Sequence, residues 1–266
     1  MEKIIMSTDV LWNTILKEAL EDSGNDPALS GYLYSTILSH ESLEAALSHQ
    51  LAKKLADEHH FPFDSFRKLL TATLHADKSL GDAMRKDVVA VATRDPACNR
   101  HYLPILFFKG FLSLQAHRIS HHLWMNGRKL LALYFQSRVS EVFAVDIHPA
   151  ARIGSGILLD HATGVVIGET TVIEDNVSIL HAVTLGGTGK AHGDRHPKIR
   201  SGVLIGAGAK ILGNIEIGTG VKVGAGSVVL QSIPPHQTAV GNPAAVKGKT
   251  ITGQPALDMD IASEIL

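Results

Sequence analysis

An aliphatic residue returns every sixth position between residues 147 and 229, and this period constrains the fold more than any other feature. It runs through Ile147, Ile153 and Leu159, then Ile167, Ile173, Ile179 and Leu185, then Ile199, Ile205, Ile211, Ile217, Val223 and Val229. Glycine follows directly at Gly154, Gly168, Gly186, Gly206, Gly218 and Gly224. Four residues after each aliphatic sits a second residue, mostly small or aliphatic, such as Ala151, Ile157, Val177, Val203 and Val221. No helix has this period, and strand alternation does not set glycine at every sixth place. The pattern is a hexapeptide β-helix repeat. Each unit makes one flat side, and three units, roughly eighteen residues, close a triangular turn. The aliphatic points into the prism, and the glycine is expected to relax the backbone near the corner. Coils stack about 4.8 Å apart, and each buries its core only against its neighbours.

The register slips twice. From Leu159 to Ile167 the step is eight, so two residues are inserted, and from Leu185 to Ile199 it is fourteen. The second slip makes Gly186 to Lys198 a loop that leaves the prism. Loops on a rigid scaffold carry sites, so function is expected at both breaks.

The chain has 266 residues, enough for two domains, and 45% of them are hydrophobic, enough for a sizeable core. A net charge of −1 argues against a dedicated nucleic-acid surface. One cysteine, Cys98, excludes a disulfide framework and a cysteine metal cluster. Met1 to Ser7 lack the pattern of a signal peptide. The longest apolar stretch, Leu103 to Leu114, is too short to span a bilayer. A cytoplasmic soluble protein is expected, with no membrane partner.

Residues 8 to about 142 read as helical. Asp9 or Thr8 caps a helix from Val10 to Glu21 with Leu11, Ile15, Leu16 and Leu20 on one face. Pro27 opens a second helix, to about Leu38. Ser42 caps a third with a stripe of Leu43, Ala46, Leu47, Leu51 and Leu55. Phe63 to His75 and Ser79 to Thr93 make two more. Asp95-Pro96 reads as a fresh helix start. A long helical stretch follows, Leu103 to Val142, broken at Gly110 or Gly127. The expected domains are residues 1–142, an α-helical oligomerisation domain; 143–246, the β-helix; and 247–266, a flexible tail after the turn Gly241-Asn242-Pro243-Ala244.

Polar residues that interrupt the prism are the candidates for chemistry. Asp160-His161 follows Leu159 at the first slip, and His181 holds the same place two residues after Ile179. The separation of twenty is one turn plus the insertion, so the two imidazoles should stack in successive coils. Arg195 and His196 sit in the loop, and Asp146 sits at the mouth of the first coil. Spacing alone leaves a catalytic cluster and a solvated histidine ladder both open.

Three segments carry a resemblance. They are Asp160-His161-Ala162-Thr163-Gly164, Val183-Thr184-Leu185-Gly186-Gly187-Thr188-Gly189 and Gly193-Asp194-Arg195-His196-Pro197-Lys198-Ile199. In this order they resemble serine O-acetyltransferase, the hexapeptide acetyltransferase that opens cysteine synthesis from serine. Ile205 to Asn214, Gly224 to Leu230, Arg94-Asp95-Pro96-Ala97 and Lys109-Gly110-Phe111 extend the match over most of residues 80 to 246. The resemblance implies an α+β architecture, an N-terminal helical bundle followed by a left-handed parallel β-helix with a protruding loop. That hand is an exception to the right-handed crossover rule.

The implied reaction passes acetyl from acetyl-CoA to the serine hydroxyl. A neutral hydroxyl is a weak nucleophile and needs a base. The resemblance gives that role to His161, and histidine is the side chain most often used as a general base. It gives Asp146 the task of orienting His161, and Asp160 and Asp95 the serine ammonium. It gives Arg195 the serine carboxylate, which suits a planar fork. His196 would hydrogen bond near the reacting hydroxyl and the tetrahedral oxyanion. Cys98 lies outside the repeat, so direct attack in a ternary complex is expected, with no acetylated enzyme. Coenzyme A would run along a groove between coils of neighbouring subunits, past Gly187, Thr188, Ala207 and Ala225, with Lys222 toward phosphate. No metal is implied.

The family also implies a trimer with sites between subunits, two trimers joined through the helical halves, and inhibition by L-cysteine at the serine site. Many relatives end in Ile, which enters O-acetylserine sulfhydrylase. This chain ends Ser263-Glu264-Ile265-Leu266, so docking keeps an apolar terminus without the β-branch. Two alternatives remain. One is a hexapeptide acyltransferase for another acceptor. The other is a β-helix carbonic anhydrase with zinc on His148, His161 and His181, which leaves the Asp-Arg-His-Pro-Lys loop without a role. His117 and His121 have i, i+4 spacing and read as bundle or surface residues.

Overall fold

The computed structural model describes residues 9–189 and 192–259, and the chain divides between Phe108 and Lys109 into two compact units. The first unit is helical. Helix α1 (Val10–Asn25) is capped by Asp9, whose carboxylate accepts from the Trp12 amide. Its buried face is Trp12, Ile15, Leu16 and Ala19, while Leu20 is exposed. The expected stripe is therefore rotated, because the large indole of Trp12 takes the core position. Helix α2 (Pro27–Leu33) starts on its proline and runs into a π-helical turn over Tyr34–Leu38. Ser42 caps α3 (Leu43–Leu55) by accepting from the Ala45 amide, and the expected stripe of Leu43, Ala46, Leu47, Leu51 and Leu55 is buried.

Helices α4 (Phe63–Ala76) and α5 (Lys78–Arg94) follow. Asp95 then ends α5 instead of starting a helix. Its carboxylate accepts from the Ala97 amide, its carbonyl accepts from the Cys98 amide, and the next helix, α6 (Leu103–Phe107), begins only at Leu103. The Asp-Pro pair makes a turn here. Two carboxylates of α1 hold the far side of that turn. Asp22 accepts from Arg100 and from the Tyr102 hydroxyl, and Glu18 accepts from the His101 amide and faces its ring.

The second unit opens with α7 (Lys109–Met125) and α8 (Lys129–Phe143), separated at Gly127. The expected boundary near residue 142 marks the change from helix to strand, whereas the compact units divide earlier, so α7 and α8 go with the β-helix. The reason is visible at the open end of the prism. Along α7, Gly110 lies against the Leu159 carbonyl, Arg118 donates to the carbonyls of Ile153 and Gly154, and the His121 ring bonds the Pro149 carbonyl. Those contacts fall at all three corners of the first coil. The helix caps the prism and covers backbone groups that would otherwise form a bare edge. It is buried over Gly110 to Ser120, as a helix enclosed on most sides must be.

Three parallel sheets form the walls. The first stacks β1 (Val145–Ile147), β4 (Val165–Ile167), β7 (Thr184–Gly186), β10 (Lys210–Leu212) and β13 (Val228–Val229). The second stacks β2 (Arg152–Ile153), β5 (Val172–Ile173), β8 (Lys198–Ile199) and β11 (Glu216–Ile217). The third stacks β3 (Leu158–Leu159), β6 (Ser178–Ile179), β9 (Leu204–Ile205), β12 (Lys222–Val223) and β14 (Gln237–Gly241), with β15 (Ala244–Lys249) antiparallel on its edge. The register follows the six-residue count. Ile147 pairs with Ile167, which pairs with Leu185, which pairs with Ile211, which pairs with Val229.

The last coil goes further than the count foresaw. Ile233 bridges to Ile217, and Ala239 pairs with Val223, so the prism continues through Pro234-Pro235. The glycines that follow the aliphatics have a different cause from the one expected. They do not adopt positive φ; the left-handed residues come two places later, as at Gly156, Asn176, Ala182, Gly208 and Gly226. What excludes a side chain at the first glycine is space, since a Cβ on Gly206 would meet the Ala225 backbone.

The segment after residue 246, expected to be mobile, has defined partners as far as residue 258. A short helix, α9 (Pro255–Asp258), buries Pro255 and Ala256, the Ser178 hydroxyl donates to the Ala256 carbonyl, and the Ala256 amide donates to the Gly202 carbonyl. Residues 260–266, where the docking terminus was expected, lie outside the described residues.

Candidate active site

The polar residues gather on two edges of the prism. One edge joins the third sheet to the first. In successive coils it carries His161, His181, Ala207 and Ala225, each two residues past an aligned core residue. The expected stacking of imidazoles is present: the His161 and His181 rings lie 6.0 Å apart, edge to face. Asp160 is beside them, with a carboxylate oxygen 3.9 Å from His161 Nε2. The imidazole of His161 is 76% exposed.

His161 has φ +54 and Ala162 has φ +57, so two consecutive non-glycine residues are left-handed. The equivalent stretch one coil later has only Ala182 in that state. The two-residue insertion is the local cause. Holding a side-chain-bearing residue there costs about 1 kcal/mol or more, and such strain concentrates at functional positions.

The other edge joins the first sheet to the second. It carries His148 in the first coil, Gly168, Glu169 and Thr170 in the second, and Gly187 and Thr188 in the third, followed by the loop with Arg195 and His196. The loop folds back onto the second coil. The Thr170 hydroxyl accepts from the amides of Arg195 and His196 at 3.0 and 3.1 Å. Both the Thr170 amide (3.1 Å) and the Thr170 hydroxyl (2.8 Å) reach His196 Nδ1. The Lys198 ammonium donates to the carbonyls of Thr170 and His196 and to Asp194. His196 is buried, and desolvation lowers its pKa, which keeps the ring neutral. A Cβ on Gly168 would overlap that ring, so the close approach requires glycine.

Arg195 is held too. One terminal nitrogen donates to Glu169 at 2.6 Å and the other to the Gly193 carbonyl at 3.1 Å. The hydrogen bond from Arg195 holds the Glu169 carboxyl below its ordinary range. Burial lowers the pKa of His148, whose Nδ1 accepts from the Ala150 amide and whose ring meets Trp124 edge to face at 5.1 Å.

Asp146 and Lys222 are not placed as expected. Asp146 faces outward on β1 and accepts from Gln136 at 2.6 Å. Among the described residues the one carboxylate within 4 Å of His161 is Asp160, not Asp146. The reason lies in β1 itself, whose alternation turns Val145 and Ile147 into the prism and leaves Asp146 beneath α8. Asp95 belongs to the other compact unit. Lys222 is 1% exposed and presents no surface ammonium. The outward residues of its sheet, Leu158, Ser178, Leu204, Lys222 and Thr238, are all buried, and residues 254–256 pack on that wall. His148 is on a different edge from His161 and His181. The described residues contain no group of three or more potential metal ligands, and no helix among them is long and apolar enough to cross a membrane.

The composition pattern did not single out Glu169, Thr170, Gln136 and Lys198. The register could have found two of them. Leu185 pairs with Ile167, so a loop leaving after Gly186 has to return over Gly168 to Thr170.

A family profile described as "Serine acetyltransferase, N-terminal" matches residues 11–116, and one described as "Bacterial transferase hexapeptide (six repeats)" matches residues 196–231. The chain is 54% identical over 252 residues to a serine acetyltransferase of Escherichia coli (strain K12), covering 95% of this chain and 92% of the relative. A crystal structure of serine acetyltransferase from Brucella abortus strain S19 in complex with coenzyme A has a TM-score of 0.89 at 53% identity, covering 91% of this chain and 97% of that one. A solved serine acetyltransferase in complex with cysteine has a TM-score of 0.92 at 51% identity, covering 94% and 97%.

Proposed function

The chain belongs to the serine acetyltransferase family, and from that premise we propose that its two polar edges, one from each of two copies, form the site that acetylates serine. The reaction moves acetyl from acetyl-CoA to the hydroxyl of L-serine, giving O-acetyl-L-serine and CoA, the first step of cysteine biosynthesis. His161 is the general base. It takes the hydroxyl proton as the serine oxygen attacks the thioester carbon, and returns it to the sulfur as the tetrahedral intermediate expels CoA. Asp160 and Asp95 take the serine ammonium, and Arg195 takes its carboxylate. For Asp146 to orient His161, its second carboxylate oxygen, the one Gln136 does not take, must come within reach of the ring. His196 donates to the hydroxyl or the oxyanion. The thioester arm runs past Ala207 and Ala225 on one edge and Gly187 and Thr188 on the other.

The observation that carries this reading is the division of the motif residues. His161, Asp160, Ala207 and Ala225 share one edge, and Arg195, His196, Gly187 and Thr188 share the next. Strands of the first sheet separate the two edges by about 10 Å of extended chain. Arg195 is tied to Glu169 and to the Gly193 carbonyl on its own edge, so in this reading a neighbouring copy supplies the Arg195 that meets a serine on His161. Three copies close such a head-to-tail contact into a ring, and two rings meet through the helical halves. Cysteine shares the ammonium and carboxylate contacts of serine and inhibits at the same place. Residues Ser263 to Leu266 dock O-acetylserine sulfhydrylase, and deleting Ile265 and Leu266 tests that contact. The setting is cytoplasmic.

Burial pushes the Cys98 thiol up to about 11, which favours direct transfer over a thioester on the enzyme. The test is serine-dependent thiol release from acetyl-CoA after treatment with a chelator. Wild type should release thiol, and His161→Ala should slow kcat by roughly 10²–10⁴-fold. Release that needs metal, or a His161→Ala chain with undiminished rate, overturns the reading.

A further inference from the structure

We propose that Thr170 is a positioning residue that locks His196 as a donor through Nε2–H, so that His161 is the base and His196 is not. The inference rests on the proposed role of His196, and it follows from counting donors and acceptors. A backbone amide can only donate. The Thr170 amide points at His196 Nδ1 from 3.1 Å, so Nδ1 carries the lone pair. The Thr170 hydroxyl has both acceptor positions filled by the Arg195 and His196 amides, and its one proton is shared between Nδ1, at 2.8 Å, and the Asp194 carboxylate. The ring proton of the neutral imidazole is therefore on Nε2.

Lys198 fixes the same arch from its other side. Its ammonium has three protons, and they go to the Thr170 carbonyl, the His196 carbonyl and the Asp194 carboxylate. Gly168 closes the remaining side, where a Cβ would collide with the ring. The backbone of residues 195 and 196, the ring plane and the tautomer are thus set before substrate arrives. One threonine serves both Arg195, through its amide, and His196, through amide and ring. Neither Nδ1, already engaged, nor protonated Nε2 can accept a proton from serine. The ring can only donate, which is the service a developing oxyanion requires.

The tautomer can be read by nitrogen NMR on the full-length protein labelled with ¹⁵N-histidine, with the His196 signals assigned by their loss in His196→Gln. Wild type should show a bare Nδ1 and a protonated Nε2. Thr170→Val keeps the amide but takes the acceptor from the Arg195 and His196 amides, so the loop loosens over that amide and the signature should blur, with kcat at least about tenfold lower while KM for acetyl-CoA stays unchanged. Thr170→Ser keeps the hydroxyl and should restore both. A wild-type ring protonated at Nδ1 overturns the proposal without any variant. So does a slow His196→Gln chain beside a Thr170→Val chain that keeps the tautomer and the rate. A His196→Gln chain with undiminished kcat overturns the assigned role of His196 itself, and the proposal with it.

Discussion

Arg195 meets a carboxylate before any substrate does. Its ion pair with Glu169 and its bond to the Gly193 carbonyl aim the guanidinium and leave its remaining N–H groups for a second carboxylate. Lysine could keep the charge but not the fork. Arg195→Lys is therefore expected to raise KM for serine about tenfold and leave KM for acetyl-CoA unchanged, as steady-state kinetics with each substrate varied would reveal. The motif made Arg195 and His196 visible in the sequence, but not the residues that hold them. Glu169 and Thr170 read as ordinary polar corner residues until the loop is laid back over them. Lys222 misled in the opposite sense. The resemblance turns it toward the coenzyme A phosphate, yet a segment some thirty residues later in the sequence packs on its wall.

At the scale of elements, the prism was the most legible part because its register is a count. A side chain six residues on points inward again, so Ile173, Ile199 and Ile217 stack without any need to guess the pairing. Ile199 has no exposed surface and lies between two others. Ile199→Ala should lower unfolding free energy by about 3 kcal/mol in denaturant titration, with an unchanged m-value. The helices were legible where a cap and a stripe agree, as at Ser42 and α3. They were misread where a proline follows a capping residue but the chain only turns, as at Asp95.

The helical half also carries a pH response. The rings of His40 and His49 lie 5.0 Å apart, and His49 meets Phe63 edge to face. Burial lowers the pKa of both below the ordinary 6.5, with Arg67 adding to the effect on each. A depressed histidine stabilises the fold above its unfolded value and loses that contribution as pH falls through the folded one. Melting temperature should drop between about pH 7 and about pH 5. A His40→Gln, His49→Gln chain should lose less over the same range. An equal loss in both chains would place the response elsewhere.

At the scale of the whole molecule, the fold places the His161 motif and the Arg195 motif on different edges of one prism. The repeat, the loop and the strained His161 each follow from local sequence. Their separation follows only from how coils stack, because the first sheet stands between the two edges. On the proposed reading, function depends on a second copy that no stretch of sequence displays.

The most direct test is to co-express His161→Ala and Arg195→Ala chains carrying different tags and to purify the mixed assemblies by both tags. Each variant alone should be nearly inactive. In random mixing at equal amounts, about one site in four combines an intact His161 edge with an intact Arg195 edge from its neighbour. Serine acetylation should therefore return to about a quarter of the wild-type rate per chain. Mixed assemblies that stay as inactive as either parent would mean that both edges act within one chain, and the account of a shared site would be wrong.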